Sequence, residues 1–159
     1  MRGDITTFRD VDAIVTAANA GLRGGGGVDG AVHAAAGSQL LAACRPLAPC
    51  PAGSAAVTPA YDLAPVLWVI HAVGPIYSGS GDAEVLASAY TSSLARADEV
   101  GARSVAFPSI STGVYGYPEE EAAEVSVRAL RSATTDVERV LLVAFGRRMH
   151  DLWTAVVGT

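Results

Sequence analysis

Four consecutive glycines at positions 24–27 constrain this chain more than any other feature. The apolar run before them, Ala13-Ile14-Val15, reads as a short buried strand over 13–16. The alanine-rich segment after them reads as a helix over about 29–37. An ordinary turn needs only one or two glycines, and each further one adds to the conformational entropy lost on folding. Four together suit a loop whose backbone N–H groups close on a ligand at positions that any Cβ would block. The helix behind the loop directs its positive end at the same spot, so the guest that this order suits is an anion. No Lys-Ser/Thr closes the loop, and no G-x-G-x-x-G stands at its usual place, so it is neither of the common nucleotide loops.

Two polar residues bracket the glycines. Asn19, at the strand's end, offers a donor and an acceptor, while Asp29, at the first turn of the helix, offers only acceptors when ionised. Together they can grip a pair of ribose hydroxyls or hold a water. The plainer uses of the same residues are a helix cap for Asp29 and a chain turn for Asn19.

A length of 159 residues predicts one domain, 1–159, and a half-apolar composition supplies a core for it. The net charge of −5 and the lack of any basic run longer than Arg147-Arg148 give no support to nucleic acid or an anionic membrane as partner. Any anion must therefore be captured locally. Cys44 and Cys50 lie in a short loop-like stretch without His/Cys partners at metal spacing. Free thiols of a reducing compartment are expected, although the two could pair. With no signal peptide and no apolar segment of membrane-spanning length, the expected location is the cytoplasm.

Along the chain, strands are expected at 13–16, 53–57, 66–73, 104–108 and 137–145. Helices are expected at 7–11, 29–37, 38–44, 82–101, 119–133 and 149–156. The longest helix, 82–101, carries Val85, Leu86, Ala89, Tyr90, Ser93, Leu94, Ala97 and Val100 at helical spacing, with Gly101 as its stop. Alternation of strands and helices predicts an α/β fold in which a largely parallel or mixed sheet lies between two helical layers. In such sheets ligands bind outside the carboxyl ends of the strands. His71, within the third apolar run, is either a catalytic base or, as the plainer reading, a core histidine bonded to backbone.

A second loop, Ser111-Thr-Gly-Val-Tyr-Gly116, also follows a strand. Its N–H groups and hydroxyls can cradle a phosphate, and Tyr115 can cover a sugar face, though by itself it is also an ordinary strand-to-helix turn. Two such loops can hold a diphosphate from both sides and leave Asn19 and Asp29 for a sugar at one end. Asp4, Ile5 and Phe145 can hold a base at the other, unless Asp4 only caps a helix and Phe145 only packs in the core.

At this point the chain resembles the macrodomain family, and within it the MacroD-type branch of ADP-ribosyl hydrolases. The matching pieces are Gly3-Asp4-Ile5-Thr6, Asp12-Ala-Ile-Val-Thr-Ala-Ala-Asn19, Gly24-Gly-Gly-Gly-Val-Asp29-Gly, Ala35-Ala-Gly37, Cys50-Pro-Ala-Gly53, Ile70-His71-Ala-Val-Gly-Pro75 and Ser111-Thr-Gly-Val-Tyr-Gly-Tyr-Pro118. They run in order across nearly the whole chain. The resemblance implies a three-layer α/β/α sandwich with a mixed central sheet that binds ADP-ribose. Asp4 would accept from the adenine amino group, Ile5 would touch the ring through its backbone, and Phe145 would pack on it. Ser111, Thr112, Gly113 and Val114 would form the diphosphate loop, with Tyr115 beside the distal ribose and Gly25, Gly26, Gly27 and Val28 on the other side. Asn19 matches the asparagine that orients that ribose, and Asp29 the acid implicated in hydrolysis.

The implied chemistry is removal of ADP-ribose from acidic side chains of proteins, or of the acyl group from O-acetyl-ADP-ribose, with no cofactor and no metal required. The implied partners are ADP-ribose and ADP-ribosylated proteins. A module that binds ADP-ribose without turning it over is the alternative. Three departures stand out: Thr16 where the branch has asparagine, Arg23 where it has an apolar residue, and only Met1-Arg2 ahead of the Gly-Asp-Ile-Thr element. Arg23 is expected to reach phosphate or a protein substrate, and the sheet to be one strand short at that edge, or the chain clipped.

Overall fold

Side-chain alternation along the central strand sets the layers. In β1 (Ala13–Ala18) successive residues point to opposite faces of the sheet, and all but Ala17 are buried, so both faces must be covered. Ala13 and Val15 join a core with α3 (Asp82–Val100), α4 (Glu119–Ser132) and α5 (Arg147–Val157) on one side. Ile14 joins a second core on the other side, with Val32 of α1 (Gly27–Ala36) and Leu40 of α2 (Ser38–Cys44). The computed structural model, which describes residues 1–79 and 81–158, is the expected α/β/α sandwich.

The sheet has β2 (Ala55–Pro59) at one edge, followed by β3 (Trp68–Val73), β1, β4 (Ser104–Phe107) and β5 (Arg139–Leu142). Only β2 runs antiparallel, so the sheet is mixed. Pro59, which has no N–H to donate, is tolerated at the end of this edge strand. Beyond β5, Arg2 makes a single parallel bridge to Ala144, and Gly3 N donates to Ala144 O at 2.9 Å. Where the resemblance expected a missing strand there is thus a one-bridge stub. It holds Asp4 near the end of β5.

Helix α3 buries Leu86, Ala89, Tyr90, Leu94 and Ala97 at helical spacing, and full burial of a leucine contributes roughly 1.5–3 kcal/mol. Gly101 ends it at φ +74°, with Ala102 N donating to Ala97 O at 2.9 Å. Three glutamates in the first turn of α4 suit its dipole. Helix α5 docks on α4 through Trp153 Nε1, which donates to Ser126 Oγ at 3.0 Å.

One expected helix is absent. Residues 8–11 are not helical; a single 3-10 turn, Ile5–Thr7, stands before them, capped by Asp4 Oδ1, which accepts from Thr6 N at 2.9 Å and Thr6 Oγ1 at 2.7 Å. The chain then stretches toward β1 because Val11 is drawn into the core and Arg9 bonds Thr6 O and Ala64 O. Strand β1 runs two residues further than expected, to Ala18, and β5 keeps only Arg139–Leu142 of the expected 137–145. Cys44 ends α2 rather than lying in a loop, and both cysteines are free and buried. Among the described residues no helix is long and apolar enough to cross a membrane.

Candidate functional site

The parallel strands β3, β1, β4 and β5 end on one edge of the sheet, and the chain leaves them at Gly74, Asn19, the 108–116 segment and Phe145. The two glycine loops meet there across a cleft of about 340 Å³. Gly25, Gly26, Gly27, Val28 and Asp29 line one wall. Ser109, Ile110, Ser111, Gly113, Val114 and Tyr115 line the other, with Asn19 and Gly74 at the strand ends.

Several contacts enforce this convergence. A Cβ on Gly74 would overlap Ser111 Oγ and Ile110 Cγ2, so glycine lets β3 approach the second loop. Tyr77 N donates to Tyr115 O at 2.8 Å. Tyr90 of α3, fully buried, donates to Pro108 O at 3.3 Å and accepts from Ile110 N at 3.0 Å, pinning the loop's first residues to the core.

The glycines of the first loop serve different ends. A Cβ on Gly26 or Gly27 would meet no protein atom within 4 Å, so these two leave open space for a guest. On Gly30 a Cβ would come within 2.5 Å of Gly25 O, so that glycine allows the loop to fold back on α1. Gly26 caps α1 without any side-chain hydrogen bond, and the first amides of the helix are therefore offered to the cleft side. Neither lysine, arginine nor histidine is among the residues that line the cleft. An anion there is met by backbone amides, as the acidic composition requires.

Asp29 is a wall residue, not a cap. Only 4% exposed, it accepts from Thr16 Oγ1 at 2.9 Å through Oδ1, and His33 Nε2 stands 3.6 Å from the same oxygen. Burial pushes its carboxyl above the ordinary 3.8, while the Thr16 hydrogen bond and the His33 charge pull it back. Thr16, the departure from the branch pattern, therefore holds the acid in place.

Asn19 both lines the cleft and turns the chain. Its Nδ2 donates to Gly24 O at 3.0 Å and its Oδ1 accepts from Arg23 N at 3.2 Å. Arg23 itself lies outside the cleft, exposed in a separate depression with Leu41, Arg45 and Pro49, so the expectation that it reaches phosphate is not met.

Ser111 is held at φ +68° with its hydroxyl buried and unpartnered among the described residues. A non-glycine residue in that region is strained. Thr112 turns away: its hydroxyl donates to Ser109 Oγ at 2.8 Å, and it lines a neighbouring depression with Arg148 and Glu119.

At the other end Asp4, Ile5 and Phe145 are not among the residues lining the cleft. Phe145 is 78% exposed, which removes the core-packing alternative, and Ile5 is buried. Asp4 caps with Oδ1 only. The bond from Gly3 N to Ala144 O sets Asp4 and Phe145 each one residue from the same junction.

His71 is a core residue, but its partners are side chains rather than backbone: Thr58 Oγ1 at 3.0 Å and Cys44 Sγ at 3.7 Å from Nε2. Sequence reasoning missed Tyr90, Gly74 and His33. Tyr90 reads as one more core position of its helix, and His33 gives its only signal as the residue four after Asp29, on the same helical face.

The fold and cleft define a class: an α/β sandwich with a glycine-lined cleft at the carboxyl ends of its parallel strands. The chain belongs to the Macro domain family, whose sequence pattern matches residues 15–126. A Klebsiella pneumoniae protein described as O-acetyl-ADP-ribose deacetylase is 54% identical over 166 residues, covering 99% of this chain and 94% of its own. A macro domain-containing protein of Chlorobaculum tepidum is 49% identical over 158 residues, 96% of this chain and 91% of its own. Among solved structures, the Oceanobacillus iheyensis macrodomain with MES bound superimposes with a TM-score of 0.91 at 38% identity, covering 99% of this chain and 88% of that one. The Trypanosoma brucei macrodomain in complex with ADP-ribose gives 0.89 at 35% identity, over 99% and 67%.

Proposed function

We propose that this chain hydrolyses O-acetyl-ADP-ribose and, in the same cleft, releases ADP-ribose from acidic side chains of proteins. The observation that carries the reading is the buried Asp29 on the wall of a cleft between two amide-rich loops. The Klebsiella pneumoniae relative, described as a deacetylase of this substrate, supports the first activity, and the ADP-ribose complex of the Trypanosoma brucei macrodomain supports the ligand.

In this reading the diphosphate lies between the amides of 25–28 and those of 111–114, with Tyr115 against the distal ribose. Asn19 orients that ribose. Asp4, the backbone of Ile5 and the face of Phe145 receive adenine. Asp29 Oδ1 is committed to Thr16, and Oδ2 has no hydrogen bond among the described residues, so Oδ2 is the oxygen available to a water. That water adds to the ester carbonyl carbon, the bond from that carbon to the ribose oxygen then breaks, and the proton the water gives up passes to the ribose oxygen, leaving ADP-ribose and the free carboxylic acid. Asp29 orients the water, and the loop amides and helix end stabilise the negative charge that develops.

The test runs O-acetyl-ADP-ribose and a glutamate-linked mono-ADP-ribosylated protein in parallel, with wild type, Asp29→Ala and Asn19→Ala. Wild type is expected to release ADP-ribose from both, and Asp29→Ala to be slower by roughly 100-fold or more. Undiminished turnover in both variants removes these residues from the mechanism. Calorimetric binding with no product over hours makes the chain a reader instead.

A further inference from the structure

The reaction proposed above gives no chemical step to three groups on the far side of Asp29, two of them buried and one partly so. His33 of α1, Cys44 of α2 and His71 of β3 each offer one ligand atom, and these atoms all lie within 4.8 Å of one another. Cys44 and His71 are fully buried, and the His33 side chain is 15% exposed. The register of the sheet explains the meeting: Thr16 of β1 pairs with His71 of β3, so both side chains point to the same face. Helix α1 crosses that face with Asp29 and His33 one turn apart.

We infer that His33, Cys44 and His71 form a binding site for one thiophilic divalent cation, of which Zn²⁺ is the type. The ligand chemistry selects this class: a sulfur and two imidazoles suit zinc, whereas magnesium and calcium require oxygen. Around a tetrahedral zinc, bond lengths of about 2.3 Å to sulfur and about 2.0 Å to nitrogen separate those two atoms by about 3.5 Å. Cys44 Sγ lies 3.8 Å from His71 Nδ1, close to that spacing before any metal draws the ligands in.

The outer contacts agree. The Thr58 hydroxyl lies 3.1 Å from Pro59 O and 3.0 Å from His71 Nε2, so when its own proton goes to Pro59 O it accepts from a proton on Nε2. With that proton on Nε2, Nδ1 is left as the ligand atom, and a partner on the other ring nitrogen is what orients metal-binding histidines; Cys44 Sγ lies 3.8 Å from Nδ1 and 3.7 Å from Nε2, so its side chain swings toward Nδ1 when a metal binds. Binding replaces the Cys44 S–H bond by a sulfur–metal bond and releases the proton to solvent. The thiolate and the nearby Asp29 carboxylate offset the double charge. The partly exposed His33 edge gives the ion a way in.

The test uses the whole chain, stripped with a chelator and titrated with Co²⁺ and then Zn²⁺. Wild type is expected to take up one Co²⁺ per chain with a thiolate-to-cobalt charge-transfer band, displaced by Zn²⁺, and to melt at a higher temperature with Zn²⁺ present. His33→Ala, Cys44→Ser and Thr58→Val each weaken uptake by roughly ten-fold or more, and Cys50→Ser leaves it unchanged. Circular dichroism confirms that each variant is folded, and His33→Ala, at the exposed edge, is the variant least exposed to misfolding. The inference is overturned if wild type shows no thiolate band, or if uptake persists in both His33→Ala and Cys44→Ser. The readout needs no turnover, so a chain that binds Co²⁺ but hydrolyses nothing overturns the proposed function alone.

Discussion

The hydroxyl of Thr16 is a single atom on which the state of Asp29 depends. It is fully buried and donates the one hydrogen bond that favours the ionised acid against the burial that disfavours it. Thr16→Val keeps the shape and removes the donor. Hydrogen bonds to charged groups contribute about 1.5–3 kcal/mol, so kcat/KM is expected to fall by about ten-fold or more. The acid limb of its pH profile moves upward, and Thr16→Ser restores both. His71 sets a second pH dependence. Burial first, then the His33 charge, hold it at about 4 against the ordinary 6.5, so the folded chain binds this proton less readily than the unfolded one. The contribution of neutral His71 is therefore full above 6.5 and is lost as pH falls toward 4. It amounts to about 3 kcal/mol. Urea unfolding of chelator-treated protein between pH 7 and 4 measures it, and His71→Gln is expected to flatten that slope.

Among the elements, the second loop depends on α3 more than on its own sequence. Tyr90 is the joint: its hydroxyl takes the Ile110 N–H and gives to Pro108 O just ahead of Ser111. Tyr90→Phe leaves a buried N–H without an acceptor, so unfolding free energy is expected to drop by about 1–3 kcal/mol in urea titration. ADP-ribose binding, followed by calorimetry, weakens with it because the loop loses its fixed start. The glycine loop was readable as a cleft wall before any fold was known, because open space at Gly26 and Gly27 is the same property that the glycine run announces in one dimension. The expected 7–11 helix failed for the opposite reason. Local pattern favoured a turn of helix there, but a buried Val11 and the tethered Arg9 require an extended chain.

For the whole molecule, ligand and fold are linked through the cleft. A nucleotide sugar that bridges both loops binds only the folded chain, so at one hundred times its Kd it adds about 2.7 kcal/mol, a rise of roughly 5–10 °C in Tm at this length. Differential scanning calorimetry with ADP-ribose checks this, and no rise at such a concentration excludes the cleft as its site. By itself the sequence determined the layer order and the two glycine loops, and it singled out Asn19, Asp29, Ser111 and Tyr115, which line one cleft, because strand and helix periodicity and glycine runs are local properties of the chain. Only the tertiary structure decided what stands behind Asp29, because sheet register and the seating of α1 and α2 bring together Thr16, His33, Cys44 and His71, which no spacing along the chain relates. It also placed Arg23 outside the cleft and Phe145 on the surface. The direction in which a loop side chain leaves the backbone follows from how the loop packs, and packing is not written in the local pattern.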